Sequence, residues 1–600
     1  MKKNKAKRTL LQSVREYKTA SVLTPLLMVG EAAMEIIIPF LTSFLLDEIK
    51  YVGTDRGVNI NNIILFSCLL VGAALFALVC GIFGARLAAK ASAGFAHNLR
   101  EDMYNNLQTF SFANIDNYST SSLITRITTD VTNVQNSYQM CIRMLVRAPV
   151  LFISAIVMTC LIEPSMAIIF VSAAVILGVI VAVCMFKVMP YFRTMFKKYD
   201  KLNAVVQEDL TAIRVVKSYV REDHELEKMH AATQDVYHYS VKAESILNFL
   251  MPSVQFVMYA TMIILLLVGS DMAIKGWGGV DFSNLQALIT YAMQILMGVM
   301  MVAMCLNFIS MSKGSADRIR EVLNEHTTLP KPAEPVNEVA DGSVDFDDVD
   351  FFYSQKADVA VLKDITVHIK SGETVGIIGA TGSGKTSLVS LIPRLYDCAQ
   401  GTVKVGGVDV RNYNLDALRN SVAMVLQKNV LFSGTIAENL RWGDENATDE
   451  DLRLAARQAC AEEFIERLPG KYDYDLGQGG VNVSGGQKQR LCIARAMLKK
   501  PKVIIFDDST SAVDTKTDAQ IRAALRQHAP ETTKIIIAQR IASVEDADKI
   551  IVLDDGRING VGTHEELMAS NEIYREVYES QVKGSGDSDG KDVKGGAVNG

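Results

Sequence analysis

The sequence predicts a polytopic α-helical membrane domain of six spanning helices, followed by a soluble α/β domain. Three observations predict it. The first half of the chain contains uncharged runs longer than about 20 residues, the length a helix needs to cross a bilayer core of about 30 Å. Hydrophobic residues make up 49% of the 600 residues and charged ones only 21%, below the roughly 25% usual in soluble proteins. From about Ser343 the pattern changes to short apolar runs that end in glycine or aspartate, as buried strands of an α/β domain do.

The balance of 61 basic against 67 acidic residues, net −6, leaves no footprint for nucleic acid. Nine cysteines form no CxxC pair and no His-flanked set. They read as small packing residues of a reducing compartment, not as a disulfide framework.

Segment 1–20 begins MKKNKAKR, a basic start that places the N-terminus in the cytoplasm. The first span, about 21–46, is too long for a cleaved signal peptide and carries two glutamates. Glu31 and Glu35 share one helical face, and Pro39 cannot donate to the carbonyl of Glu35, so a local kink is expected. Acids inside a membrane face protein or water. Two readings stand: the pair contacts cargo or a cation in a cavity, or it hydrogen-bonds to a neighbouring helix.

The remaining spans are about 60–85, 139–162, 165–187, 246–269 and 284–311. Arg143 and Arg147 lie in the first turns of the third, where arginine heads can reach the lipid headgroups. The sixth carries Met293, Met297, Met300, Met301 and Met304 largely on one face. Such a flexible apolar stripe suits either varied ligands or plain helix packing. The stretches 86–139 and 187–244 are polar and helical in pattern, and they extend helices beyond the membrane. The transmembrane domain, 21–324, leads into a linker, 325–342, marked by Pro330, Pro332 and Pro335. A soluble domain, 343–582, and a low-complexity tail, 583–600, follow. Asn117, Asn446 and Asn482 begin Asn-x-Ser/Thr triplets on the cytoplasmic side and read as unglycosylated.

The soluble domain opens its chemistry with TVGIIGATGSGKTSLVSLI, an apolar strand, a glycine loop and a helix. Gly379, Ala380, Thr381, Gly382, Ser383 and Gly384 bring backbone N–H groups onto phosphates at the helix N-terminus. Lys385 reaches the β/γ-phosphates, and Thr386, beside Ser387, ligates Mg²⁺. Asp507 ends the apolar run KVIIFD, placed to hold the same ion. In VSGGQKQR, Ser484, Gly485, Gly486 and Gln487 open a further helix whose free N–H groups make a second anion site.

That last stretch resembles the signature motif of ABC transporters, with Val483 where leucine is usual. The resemblance covers nearly the whole chain and is to half-size exporters of the multidrug type, six spans joined to one nucleotide-binding domain of the ABC type. It implies that Tyr353 stacks on adenine, that Gln427 contacts Mg²⁺ and that Asp514 communicates across a dimer. SADRIREVL, RVVKSYVRE and LITRITTDV resemble cytoplasmic stretches of the same family. ATP sits between two chains in that family, touching the glycine loop of one and the signature helix of the other. Implied ligands are therefore ATP and Mg²⁺, implied partners a second half-transporter and membrane lipid, and implied cargo amphipathic drugs, lipids or peptides.

Two positions depart from the family pattern. Asp508 stands where a glutamate usually polarises the attacking water, and Gln539 where a histidine usually meets the γ-phosphate. Aspartate withdraws the carboxylate by about 1.5 Å, and about 1 Å of misplacement costs roughly 10²-fold in rate. Glutamine donates a hydrogen bond but carries no charge. The chain thus resembles the degenerate-site half of a heterodimeric bacterial exporter in the cell membrane. A homodimer with two slow sites, or an ATP-gated channel or regulatory subunit, are the alternatives. Six spans exclude a soluble ABC ATPase.

Both chain ends are expected in the cytoplasm. A cysteine placed in the tail of a cysteine-free variant should react with an impermeant reagent only after cells are opened; ready labelling of intact cells would reverse the topology.

Overall fold

The computed structural model of the chain describes residues 8–50, 59–275, 281–353, 359–508 and 515–586. It divides into two compact units, Met1–Gln108 with Thr120–Glu325, and Thr109–Ser119 with His326–Gly600. Each is described by itself.

The first unit is built of six helices long and apolar enough to cross a membrane: α1 (Lys18–Ile49), α2 (Ile60–Leu107), α3 (Thr120–Ile162), α4 (Pro164–Ser218), α5 (Glu222–Lys275) and α6 (Phe282–Asn324). Hydrocarbon offers no hydrogen-bond partner, so the chain satisfies its backbone within each helix. At 1.5 Å per residue the 48 residues of α2 reach about 70 Å, far beyond the bilayer core. Asn59 caps α2. Glu163 caps α4, where Pro164 takes the first helical position and Ser165 donates from both N–H and hydroxyl to the carboxylate. The charge between the third and fourth spans is thereby explained. In α3 two π-helical turns, Arg126–Asp130 and Cys141–Leu145, interrupt the regular winding.

Pro39 lies inside α1, which runs unbroken past it. The carbonyl of Glu35, deprived of its usual donor, accepts from Gln294 Nε2 at 2.9 Å. One residue on, Ile36 O accepts from the fully buried Tyr291 hydroxyl at 2.9 Å. Helix α6 thus supplies the donors at the disrupted turn.

The expectation that Arg147 reaches the headgroups needs correcting. Arg147 turns inward, with Nη1 3.2 Å from Glu31 Oε1 and Nη2 hydrogen-bonded to Glu35 Oε1. The three side chains are 15%, 16% and 34% exposed. Two carboxylates in an apolar surround cost too much alone, and the nearest cation binds them rather than the lipid surface. Arg143 Nε is buried as well. Of the two readings of the glutamate pair, the neighbouring-helix contact is the one the geometry displays.

The second unit has two sheets. An antiparallel one, in the order β2-β1-β4-β5, comprises β1 (Val344–Phe351), β2 (Leu362–Ile369), β4 (Gln400–Val405) and β5 (Val408–Asp409). The other runs β10-β9-β3-β8-β7-β6, from β3 (Thr374–Ile378), β6 (Val422–Val425), β7 (Val503–Asp507), β8 (Thr533–Ile537), β9 (Lys549–Asp554) and β10 (Arg557–Gly562). It is parallel except for the β9–β10 hairpin. Strands β3, β7 and β8 are buried along their whole length, the reason they read as mainly apolar runs, with Lys534 of β8 a charged exception.

The proline-marked stretch is tied to this unit. Leu329 and Val339 are buried, Val336 bridges Tyr413, and the fully buried Arg394 donates to Pro330 O. The connection between α2 and α3 belongs to the same unit. Its short helix, Phe112–Asp116, is held by Asn114, which accepts from Thr328 N and donates to His326 O. A last helix reaches Gly586, into the stretch assigned to the tail, and 587–600 lie outside the described residues. All nine cysteines are free.

Arg147→Ala should destabilise the chain by about 3–5 kcal/mol, because it strands two carboxylates. Adding Glu31→Gln and Glu35→Gln should recover most of that loss. Thermal unfolding in detergent measures both; a single variant as stable as wild type would mean that water, not Arg147, solvates the pair.

Candidate functional site

Three neighbouring strands end at one edge. The chain leaves β3 at Ile378 into the loop Gly379–Gly384 and enters helix α7 (Lys385–Ser390). It leaves β7 at Asp507 and β8 at Ile537. Strand β8 lies between the other two, so the segments after all three meet.

The loop needs its glycines for stated reasons. A Cβ on Gly379 would lie 2.2 Å from Leu553 O, and Gly384 caps α7 at φ +98°, a left-handed conformation. Lys385 Nζ donates to Gly379 O at 2.8 Å and Ala380 O at 2.7 Å, so the ammonium sits inside the loop it serves. Burial holds its pKa below the usual lysine range, with Asp508 and Asp507 opposing. Thr386 Oγ1 donates to Asp507 Oδ1 at 2.9 Å. Asp507 is 3% exposed, and burial pushes its carboxyl up against that hydrogen bond.

Tyr353 is exposed on one face, as a stacking platform must be. Its hydroxyl meets Ser387 Oγ at 2.8 Å, and Phe351 and Tyr396 brace the ring edge-on at 4.8 and 5.2 Å. Tyr396 in turn donates to Asp116 Oδ2 at 2.7 Å. Gln427 Nε2 and Gln539 Nε2 both donate to Asp508 Oδ2, at 3.2 and 2.6 Å. Asp508 itself sits at φ +48°.

These groups line one cleft of about 620 Å³, together with Thr381 and Gly382. Ser383 is buried behind it, its hydroxyl 3.5 Å from Lys385 Nζ. Sequence reasoning missed several contributors to the site, Val361 and Asp554 of its lining among them. Ile573 and Val577 line it from helix α9 (Glu572–Gly586), and their four-residue spacing is the signal that could have found them. Tyr396 and Gln581, also on α9, carried no pattern.

The signature residues lie elsewhere. Helix α8 (Gly485–Leu498) starts with a capping box in which Ser484 Oγ accepts from Gln487 N and Gln487 Oε1 accepts from Ser484 N. A Cβ on Gly485 meets nothing within 4 Å. Ser484, Gly485, Gly486 and Gln487 do not line the cleft of their own chain. Val483 is 8% exposed in the core, where an apolar residue one methylene smaller than leucine still packs.

Asp514 lies outside the described residues. In the first unit Met297 and Met304 are 67% and 55% exposed, whereas Met293, Met300 and Met301 are half-buried.

Among the described residues no group of three or more His, Cys, Asp or Glu side chains could hold a metal. Mg²⁺ does not need one, because it keeps waters and substrate phosphates and takes only one or two protein oxygens. The Thr386 hydroxyl and Asp507 carboxylate already converge, and Gln427 reaches the same cleft, so these residues fit the ion.

Residues 22–300 match the ABC transporter transmembrane region, and residues 362–511 match the ABC transporter domain. The uncharacterized ABC transporter ATP-binding protein YfiB of Bacillus subtilis is 33% identical over 571 residues, covering 95% of this chain and 98% of that protein. A fatty acid ABC transporter ATP-binding/permease protein of Mycobacterium bovis is 31% identical over 479 residues, covering 80% and 75%. A solved bacterial Atm1-family ABC exporter with ATP bound superposes with a TM-score of 0.80 over 95% of this chain and 98% of that one. At 24% identity that likeness speaks for the fold.

Gly379→Ala should weaken binding of a fluorescent ATP analogue by about tenfold or more, since the new Cβ forces the loop off Leu553 at a cost of about 1–3 kcal/mol. Affinity within twofold of wild type would refute this account of the loop.

Proposed function

The chain belongs to the ABC transporter family as a half-size member with the exporter fold, and from that premise we propose that it is the slow-site half of a heterodimeric exporter of amphipathic substrates. The observation that carries the reading is Asp508. Its carboxylate is one methylene short of the usual glutamate, and its Oδ2 already accepts from Gln427 and Gln539. Tyr353, Lys385, Thr386 and Asp507, to which this reading gives nucleotide binding, line the same cleft, which supports it.

The mechanism follows from what each group does. Tyr353 receives the adenine ring, and Lys385 exchanges its loop carbonyls for phosphate oxygens. Thr386, Asp507 and Gln427 would hold Mg²⁺, which would supply charge neutralisation on the phosphates. The signature helix cannot serve its own cleft. Its open N-terminus, Ser484–Gly486, serves the γ-phosphate held by a second chain, with Asp514 passing the state of one site to the other. Closure of the two nucleotide domains is then an ATP-biased rigid-body change. The α2–α3 connection rides on the nucleotide-binding unit, which supports its role in passing that change to the membrane.

We place cargo against the methionine face of α6, Met293, Met297, Met300 and Met304, with Glu31 and Glu35 at its polar end. Two buried acceptors there, Glu31 Oε2 and Gln294 Oε1, have no partner among the described residues, which supports a polar group on the cargo. A relative named for fatty acids is consistent with an amphipathic class. The protein is a multi-pass membrane protein, and we place it in the cell membrane with both ends in the cytoplasm.

Purified alone, the chain should bind ATP and turn it over slowly; joined to its partner, it should support hydrolysis mainly at the opposite site. Asp508→Asn should then lower the complex's ATPase modestly. Gly485→Asp should nearly abolish it, and because nothing lies within 4 Å of a Cβ there, the loss reports charge rather than misfolding. Fast ATPase of the pure chain, abolished by Asp508→Asn, would end the slow-site reading.

A further inference from the structure

The C-terminal helix α9 holds the segment after β8 by a side chain to which the mechanism above gives no role. Gln581 Nε2 donates to Gln539 O at 2.8 Å, and its Oε1 accepts from Ile541 N at 2.9 Å. One amide thus grips the backbone on both sides of Arg540. The side chain of Gln539 then donates to Asp508 Oδ2 at 2.6 Å, and Gln427 donates to the same oxygen at 3.2 Å. A carboxylate has about four acceptor sites on two oxygens; both sites on Oδ2 have a donor, and two donors on that one oxygen fix the plane and aim of the whole group. A general base needs a lone pair aimed at the water it deprotonates.

We infer that Gln581 and Gln539 are positioning residues of a restraint, α9 to Gln539 to Asp508, that holds the short carboxylate away from the attacking water and so keeps ATP in this site. The inference rests on the slow-site reading and adds its cause: the slowness is imposed partly by two amides and not by the shorter side chain alone. It also predicts an unusual sign. Removing the amide of Gln539 should speed hydrolysis, whereas removing a group that assists the γ-phosphate should slow it. Backbone geometry makes the arrangement one-sided, because Asp508 at φ +48° cannot readily swing its main chain to find another aim. Gln539 has no such constraint, so its amide is the removable part.

The test is single-turnover hydrolysis of radiolabelled ATP with Mg²⁺ by the full-length chain in lipid nanodiscs holding two copies, so that the signature helix of one copy completes the cleft of the other. Gln539→Ala should raise the rate about tenfold, the scale of one hydrogen bond to a charged group. Gln581→Ala should raise it less, and the double variant should be no faster than Gln539→Ala, because Gln581 acts through Gln539. Asp508→Asn in each background should remove the gain. Thermal unfolding in the same nanodiscs serves as the folding control. Should Gln581→Ala not fold, Gln581→Glu keeps the acceptor for Ile541 N, loses the donor to Gln539 O, and should show a partial gain. A slow wild type left unchanged or slowed by Gln539→Ala overturns the restraint alone. Additive gains, or gains that survive Asp508→Asn, overturn it too. A fast wild type that depends on Asp508 overturns both the restraint and the slow-site reading.

Discussion

The nucleotide-binding unit depends on the parallel register of β3, β8 and β7. Ile377 pairs with Ile537, and Ile537 pairs with Asp507, so three strands far apart in sequence end in step. Two further main-chain bonds, Ala538 N to Ile377 O and Asp508 N to Ile537 O, carry the alignment past the strand ends. The glycine loop, the buried aspartate and the switch segment are consequences of that alignment. A slip of one residue on β8 would turn every side chain to the other face and take Gln539 out of reach of Asp508. The register is secured because both faces of these strands are buried, leaving no alternative that keeps isoleucine and valine out of water.

In the membrane unit the governing constraint is the absence of water. A carbonyl freed by Pro39 and two carboxylates on α1 would each be costly in hydrocarbon. Helix α6 answers the first with Gln294 and Tyr291, and α3 answers the second with Arg147. Polar groups that look like isolated exceptions in three separate spans are mutual partners. They also fix which faces of α1, α3 and α6 meet, alongside an apolar cluster of Ala32, Ile36, Leu151, Ala155 and Leu288.

In the proposed slow-site reading, the same economy of charge separates binding from turnover in the cleft. Lys385 and Asp507 are both buried, and burial disfavours the charged form of each. An incoming phosphate with its cation relieves both, which favours occupancy. Turnover needs something else, a carboxylate free to take a proton, and here two amides hold it. Because the signature helix presents its N-terminus away from this cleft, the chain contributes to two sites and completes neither alone.

The sequence by itself determined the six spans, the glycine loop, Asp507, the signature helix and the two departures at Asp508 and Gln539. Each is a local pattern: a run without charge, a spacing of glycines, an acid at the end of an apolar strand. Backbone physics at that scale depends on neighbours in the chain. The Arg147 pair, the donors on α6 and the grip of Gln581 on the switch segment were decided only by tertiary structure. They join residues 40 to 259 positions apart, through single side chains of no distinctive type. The snorkelling expected of Arg147 failed for the same reason. A lone arginine near a span's end reaches for headgroups, but this one faces two glutamates that only packing brings within 3.2 Å or less.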